Sequence, residues 1–155
     1  MLGSTESGKR GSAVQLTEQH RIDRFDPRWV AIDAACFASK HLYNAALYHM
    51  RQAYIKDHTR IAYEALDTLM QPTAEYRALP AKVAQWVERQ VCAAWKSYFA
   101  AVAAYRKHPD RFLGHPKLPK YLDKQGRNLV VLTTQAISQA KQNEGWILPS
   151  GLNLR

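Results

Sequence analysis

Apolar positions recur at helical spacing along two long stretches of the chain. In the first stretch, over about 26–57, the apolar positions that share one face are Trp29, Ile32, Cys36, Tyr43, Leu47, Met50 and Tyr54. Asp26 followed by Pro27 is typical of a helix start, because aspartate caps free N–H groups and proline fits the first turn. The pattern predicts a long helix with a single apolar face.

The second long helix is predicted over 80–108, since Pro80 fits a first turn and Pro109 stops the helix. Its apolar face, expected to be core, is formed by Val83, Val87, Val91, Trp95, Tyr98, Val102 and Tyr105. The opposite side carries a cationic row of Lys82, Gln85, Arg89, Lys96 and Lys107, with Trp86 at its edge.

Shorter elements complete the predicted organisation. A helix over 60–70 with Thr59 as its cap and one further turn over 73–79 join the long helices into a small antiparallel bundle. Alternating residues over 13–25 predict a first strand, and the β-branched run 128–137 and the stretch 144–148 predict later strands. The fold class expected is α+β, with the helices inserted into an incomplete β unit.

The charge of the chain indicates a class of binding partner. The 155 residues contain 22 Lys and Arg against 13 Asp and Glu, a net charge of +9 that favours a polyanionic partner. Seven basic residues and two acids lie between Tyr105 and Arg127. With Arg89 and Lys96, the residues expected to contact a nucleic-acid backbone are Arg106, Lys107, Arg111, Lys117, Lys120, Lys124 and Arg127.

Trp86 has two interpretations that the sequence leaves open. It is either an ordinary boundary side chain on a solvated face, or a stacking side chain beside a groove for a phosphate backbone. Trp95 lies on the apolar stripe and is expected to be packing.

Several function classes find no support in the sequence. No apolar run approaches the roughly 20 residues that a membrane span needs, so we expect a cytoplasmic protein without a membrane partner. Cys36 and Cys92 are expected to be reduced and buried, and no Cys/His spacing suggests a metal site. No nucleophile motif, phosphate loop or carboxylate cluster is present, so the chain by itself is not expected to be an enzyme.

Five sequence segments carry a resemblance to a known family. They are 39–45 (SKHLYNA), 79–85, 94–99 (AWKSYF), 112–121 (FLGHPKLPKY) and 128–137 (NLVVLTTQAI). In this order they resemble the TnpB (OrfB) proteins of bacterial insertion sequences, over roughly 14–155. Those proteins are transposon-encoded RNA-guided DNA endonucleases, related to the miniature type V CRISPR effectors.

The resemblance implies an architecture and a domain division. A wedge (WED) β-barrel would be interrupted after its first strand, 13–25, by a helical recognition (REC) domain over 26–108. The basic loop and further wedge strands would fill 109–155, leaving the barrel truncated, and 1–12 would be disordered or an artificial leader. The RuvC nuclease domain and the zinc ribbon, which would hold Mg and Zn, are absent and would follow residue 155. The chain itself is expected to hold no cofactor.

The resemblance also implies functional positions. Tyr63, Gln85 and Thr133 match residues that read a short DNA motif beside the target. A basic residue expected one turn before Gln85 aligns with Ala81, so either Lys82 takes its place or the DNA motif that is read differs. The loop 106–127 would contact guide RNA or heteroduplex backbone. The implied partners are the guide RNA and the target duplex DNA, with either the missing nuclease portion or a second copy.

Two other functions remain open at this stage. One is a stand-alone DNA-binding regulator or transposition accessory protein that needs no guide RNA. The other is a helical protein-interaction domain whose basic loop keeps it in solution. Phosphate binding weakens steeply with salt, whereas an apolar interface does not, so salt dependence separates the last alternative from the others.

Overall fold

The computed structural model of the protein describes residues 17, 19–149 and 151–152. The predicted segment 1–12 and positions 13–16 of the predicted first strand lie outside the described residues. The described part contains five α-helices: α1 (Trp29–Asp57), α2 (Tyr63–Met70), α3 (Ala74–Arg77), α4 (Ala81–Lys107) and α5 (Gln139–Asn143). Two 3-10 turns, Pro109–Arg111 and Thr134–Ala136, lie between α4 and α5.

The helix boundaries differ from the predictions where local side chains find other partners. α1 begins at Trp29 because the Asp26 carboxylate accepts hydrogen bonds from the Arg28 backbone N–H and guanidinium, at 2.9 and 2.6 Å, and caps no helix. α2 begins at Tyr63, three residues after the predicted start, and the expected cap Thr59 donates its N–H to Asp57 instead. α4 agrees with the predicted 80–108 to one residue at each end.

The core lies between α1 and α4, with α2 and α3 packed against α4. The predicted apolar stripe of α4 is buried from Val83 to Trp95 and becomes half-buried beyond it. Fully or nearly buried side chains from the other elements include Leu42, Ala46, Leu47, Met50, Leu66, Met70, Tyr76 and Leu79. This apolar burial is the main stabilising contribution to the bundle.

An aromatic cluster extends the core at the C-terminal part of α1. Tyr54 of α1 lies against Trp95, Tyr98 and Phe99 of α4, with ring centroids 5.2 to 6.1 Å apart. Most of these pairs are edge-to-face, the arrangement that aromatic quadrupoles favour. The cluster fixes the end of α1 against the middle of α4.

The segment after α4 is bound to α1 by polar side chains that reach its backbone. Asn44 forms a reciprocal pair with Leu122, donating to its C=O at 3.0 Å and accepting from its N–H at 2.8 Å. Arg51 donates to the Pro119 C=O at 2.6 Å, and its guanidinium lies 5.0 Å from the Tyr121 ring centroid.

Lys40 makes the most buried of these contacts. Its side chain is 2% exposed, donates to the Lys124 C=O at 2.7 Å, and lies 4.1 Å from the Phe37 ring centroid. A buried ammonium needs such partners, because desolvation penalises a charge that is left without them. Lys40 therefore anchors to α1 the chain that returns from α4.

The predicted insertion of a helical bundle into a β-barrel is wrong. The described residues form no sheet, and the one antiparallel bridge joins Ile137 to Pro149. The described part of 13–25 contains turns, and neither 128–137 nor 144–148 forms a strand. The fold is mostly helical.

The physical reason lies in the partners of the 128–137 backbone. The Leu129 C=O accepts from Ser39 Oγ at 2.8 Å, and the Asn128 N–H donates to the Cys36 C=O at 3.1 Å. Val130 and Leu132 pack against the helical core. β-branched residues favour an extended backbone, but a strand also needs a neighbouring strand edge. Here the extended segment binds helix α1 instead of a second strand.

Replacing Asn44 by alanine is expected to lower the free energy of unfolding by about 1–3 kcal/mol, because both Leu122 peptide groups lose their partner. Urea unfolding followed by circular dichroism measures the change. Gln52→Ala, an exposed polar position on the same helix, is the control and should change stability by no more than about 0.5 kcal/mol. Equal stability of the two variants would contradict the assigned role of Asn44.

Candidate nucleic-acid interface

A shallow groove of about 140 Å³ lies between the first half of α4 and the turn at 133–135. We call it the α4 groove. It is lined by Lys82, Gln85, Trp86, Arg89, Thr133 and Gln135. Five of these six residues belong to the set predicted from the sequence, and their spacing on α4 explains why four of them meet. Positions three and four apart on a helix are neighbours on one face.

Thr133 comes to the groove through the packing of the turn that follows it. Ala136, at the end of the 3-10 turn, is buried and donates its N–H to the Thr133 C=O at 2.8 Å. That turn packs against α4. The Thr133 hydroxyl and the Gln135 amide therefore lie opposite Gln85, and the groove combines neutral hydrogen-bonding groups with two cations.

Tyr63 does not line the groove but supports a residue that does. The Arg89 guanidinium carbon lies 4.1 Å from the centroid of the Tyr63 ring. A cation above an aromatic face is attracted by the ring quadrupole, so Tyr63 limits the positions that Arg89 can take. Arg89 remains exposed to solvent. The contact explains a role for Tyr63 in positioning Arg89 beside Gln85.

Trp86 is 39% exposed at the groove. An exposed indole on a helix that carries Lys82 and Arg89 has the combination that single-stranded nucleic acids require, a flat stacking surface next to cations. This exposure fits both interpretations of Trp86, a boundary side chain and a stacking side chain. Trp95, by contrast, is 3% exposed and belongs to the core, as expected.

A polar layer of Glu88, Asp67 and Tyr76 joins α4 to α2 and α3. Glu88 is fully buried on α4 between Gln85 and Arg89, and neither of its carboxylate oxygens has a hydrogen-bond partner among the described residues. Burial, followed by the nearby Asp67 carboxylate, raises the pKa of Glu88 to about 8. The raised pKa favours the protonated, uncharged form of Glu88 at neutral pH.

Tyr76 belongs to the same layer. Its hydroxyl donates to Asp67 Oδ1 at 3.1 Å, while Gln71 donates to Asp67 Oδ2 at 2.7 Å. Burial and the Asp67 carboxylate raise the pKa of Tyr76 to about 12. Neither Glu88 nor Tyr76 is singled out by the sequence, because their burial depends on partners in other helices.

The remaining predicted backbone contacts do not line the groove. Lys96 lines a different depression, together with Arg60, which the sequence analysis did not single out. Exposed cations at the end of α4 and along the following segment are Arg106, Lys107, Arg111, Lys117, Lys120 and Lys124. They remain available to a polyanion, but the structure gives them no common pocket.

Arg127 is already occupied by an acid. Its Nε and a terminal nitrogen donate to the two carboxylate oxygens of Asp33 at 2.8 and 2.9 Å, and its guanidinium lies 4.6 Å from the Phe37 ring centroid. The pair lowers the pKa of Asp33 and raises that of Arg127. Arg127 thus links α1 to the loop and shares its charge with Asp33.

Potential metal ligands in the described part of the chain lie apart from one another. No group of three or more His, Cys, Asp or Glu side chains is arranged there to hold a metal ion. Cys36 and Cys92 are free and half-buried, and burial raises the pKa of both thiols. None of the described helices is long and apolar enough to cross a membrane.

Comparison with known proteins adds no assignment. A scan against protein-family models, a search of curated proteins and a search of solved structures each found no match. The similarity to TnpB proteins therefore rests on the motifs in the sequence alone, and the functional argument rests on the α4 groove.

Proposed function

We propose that this protein is the nucleic-acid-binding recognition part of an RNA-guided DNA endonuclease, and that it acts in the cytoplasm. In this role it holds a guide RNA and reads a short motif in duplex DNA beside the target. The observation that carries the proposal is the α4 groove, which brings Lys82, Gln85, Arg89 and Thr133 together with the exposed ring of Trp86.

The side chains of the groove suit two different tasks. Lys82 and Arg89 carry positive charge to the phosphate backbone, which supplies affinity and orientation without sequence information. The Gln85 amide has a donor and an acceptor that can pair with the major-groove edge of adenine. The Thr133 hydroxyl can donate to or accept from a base edge. The groove therefore combines positioning and reading groups.

A stand-alone DNA-binding protein is the second candidate, and one observation favours it. All the lining residues of the groove come from α4 and 133–135, and their cations and amides suit a DNA duplex as well as an RNA. The experiment that separates the two candidates compares affinity for a structured RNA transcribed from the protein's own locus with affinity for unrelated duplex DNA. Selective RNA binding supports the guide-dependent function, and equal affinity supports the stand-alone protein.

Gln85→Ala is expected to reduce discrimination of the target-adjacent motif by about 1–3 kcal/mol, because the variant loses the amide that would pair with a base edge. Binding of duplexes that differ at single motif positions measures the effect. Lys117→Ala, an exposed cation outside the groove, is the control and should weaken all sequences alike. A sequence-selective loss at Lys117, or an unselective one at Gln85, would reverse the assignment.

A further inference from the structure

A second depression lies where the end of α1, the start of α2 and the middle of α4 meet. Its volume of about 390 Å³ falls in the range of roughly 300–1,000 Å³ that is typical of small-ligand sites. We call it the aromatic cleft. Its aromatic lining is Tyr54, Tyr63, Trp95 and Phe99.

The rim of the cleft is cationic. Arg60 and Lys96 line it and are exposed, and neither forms an ion pair with a carboxylate of the described residues. The Arg60 guanidinium carbon lies 3.9 Å from the Phe99 ring centroid, which holds the charge above the aromatic floor. No acidic side chain is among the described residues that line the cleft. The cleft therefore suits a flat ligand that carries negative charge.

The aromatic cleft continues the α4 groove. Tyr63 lines the cleft, and its ring supports Arg89, which lines the groove. Lys96 follows Arg89 by seven residues on α4, which places it on the same side about 10 Å further along the helix. A chain of phosphates that lies along Lys82 and Arg89 would reach Lys96 at the mouth of the cleft.

We propose that the aromatic cleft receives one unstacked nucleobase of a single strand whose backbone continues from the α4 groove. The base stacks on the Arg60 guanidinium that lies over Phe99, with Tyr54 and Tyr63 beside it, and Lys96 contacts an adjacent phosphate. Stacking of this kind accepts any base, because every base has a flat face. The proposal rests on the nucleic-acid binding proposed above, since opening of a duplex beside a target supplies unpaired bases.

The test measures the binding of labelled single strands to the full chain carrying Trp86→Ala, which is the parent protein for this experiment. The substitution removes stacking in the α4 groove from the measured affinity. The probes are a thymidylate decamer, a uridylate decamer and an abasic decamer with the same number of phosphates. Both base-containing decamers are expected to bind about tenfold more tightly than the abasic one, within the 1–3 kcal/mol known for a stacked base. A preference between them identifies the strand as RNA or DNA, and either preference supports the pocket.

Ala62→Phe tests the cleft itself. Ala62 lines the cleft and is exposed, so a phenyl ring there fills the space without removing a core contact. This variant is expected to lose the tenfold advantage and to keep the salt dependence of binding. Ala65→Phe is the matched control, because Ala65 is an exposed alanine of α2 outside the cleft lining. It should bind like the parent.

The outcomes separate this proposal from the proposed function. The base pocket is overturned if Ala62→Phe and Ala65→Phe bind equally, or if abasic and base-containing decamers bind equally. The proposed function still stands in that case if binding depends steeply on salt. Uridine monophosphate binding as tightly as the uridylate decamer also overturns it, because the cleft would then be a small-molecule site. If the parent binds no oligomer, the proposed function fails, and the base pocket fails with it.

Discussion

Replacing Glu88 by glutamine is expected to remove most of the pH dependence of folding stability between about pH 4.5 and 8, and to stabilise the protein at neutral pH and above. Glu88 is fully buried, and burial together with Asp67 raises its pKa from 4.5 to about 8. Glutamine has nearly the same shape, stays neutral at every pH, and can donate an N–H to Asp67 as the protonated acid would.

The direction of the effect follows from proton binding in the two states. In the unfolded chain Glu88 loses its proton above its ordinary pKa of 4.5, whereas the folded protein keeps that proton up to about pH 8. Between these values the folded state binds more protons, so the free energy of unfolding falls as pH rises. The contribution is fully present below pH 4.5 and is lost as pH rises through 8. At about 1.4 kcal/mol per pKa unit, the total change is a few kcal/mol.

Other titratable groups near Glu88 could also contribute to the pH dependence of stability. The titratable and charged groups that influence it are Asp67 and Tyr63 from α2, Tyr76 from α3, and Arg89 and Cys92 from α4. Burial also raises the pKa values of the two tyrosines and the cysteine, which keeps these groups neutral over the pH range of interest. Glu88 is therefore the group in this layer that changes charge as pH rises from neutral.

Urea unfolding at several pH values between about 4.5 and 9 measures the slope. Glu64→Gln is the matched control, because Glu64 is an exposed acid of α2 whose removal should leave the slope of the parent unchanged. A Glu88→Gln variant with the same pH slope as the parent would show that Glu88 is ionised in the folded protein.

Arg89→Ala is expected to weaken nucleic-acid binding about tenfold and to reduce the slope of log affinity against log salt by about one. Arg89 is exposed in the α4 groove and is positioned there by the Tyr63 ring at 4.1 Å. Loss of the guanidinium removes a phosphate contact at the centre of the groove. Fluorescence anisotropy over a range of salt concentrations measures both quantities.

Arg127→Ala is the matched control for this experiment. Its guanidinium is already bound to both oxygens of Asp33, so it has little charge to offer a phosphate. The variant should bind nucleic acid within about twofold of the parent, a difference worth less than about 0.5 kcal/mol. Equal losses at Arg89 and Arg127 would mean that binding depends on net charge alone, and no loss at Arg89 would move the interface away from the α4 groove.

Much of the helical part was predictable because its determinants are local. The spacing of Val83, Val87 and Val91 predicts a buried face, and the prolines at 80 and 109 predict the ends of α4 to one residue. The same spacing predicts that Lys82, Gln85 and Arg89 share a surface. The starts of α1 and α2 were misplaced because Asp26 and Asp57 accept local hydrogen bonds that compete with helix capping.

The sequence by itself therefore determined the long helices, their apolar faces and the residues of α4 that form one side of the groove, because these depend on a period of 3.6 residues. The tertiary structure decided the rest. The run 128–137 formed no strand because Ser39 and the Cys36 carbonyl bind the start of its backbone, and its packing on the helices brings Thr133 to the groove with Gln85. It also assigned Arg127 to Asp33, Lys96 to the aromatic cleft, and Glu88 to the core. Each of these outcomes depends on partners distant in the chain. The spacing of apolar residues along one helix carries no information about such partners.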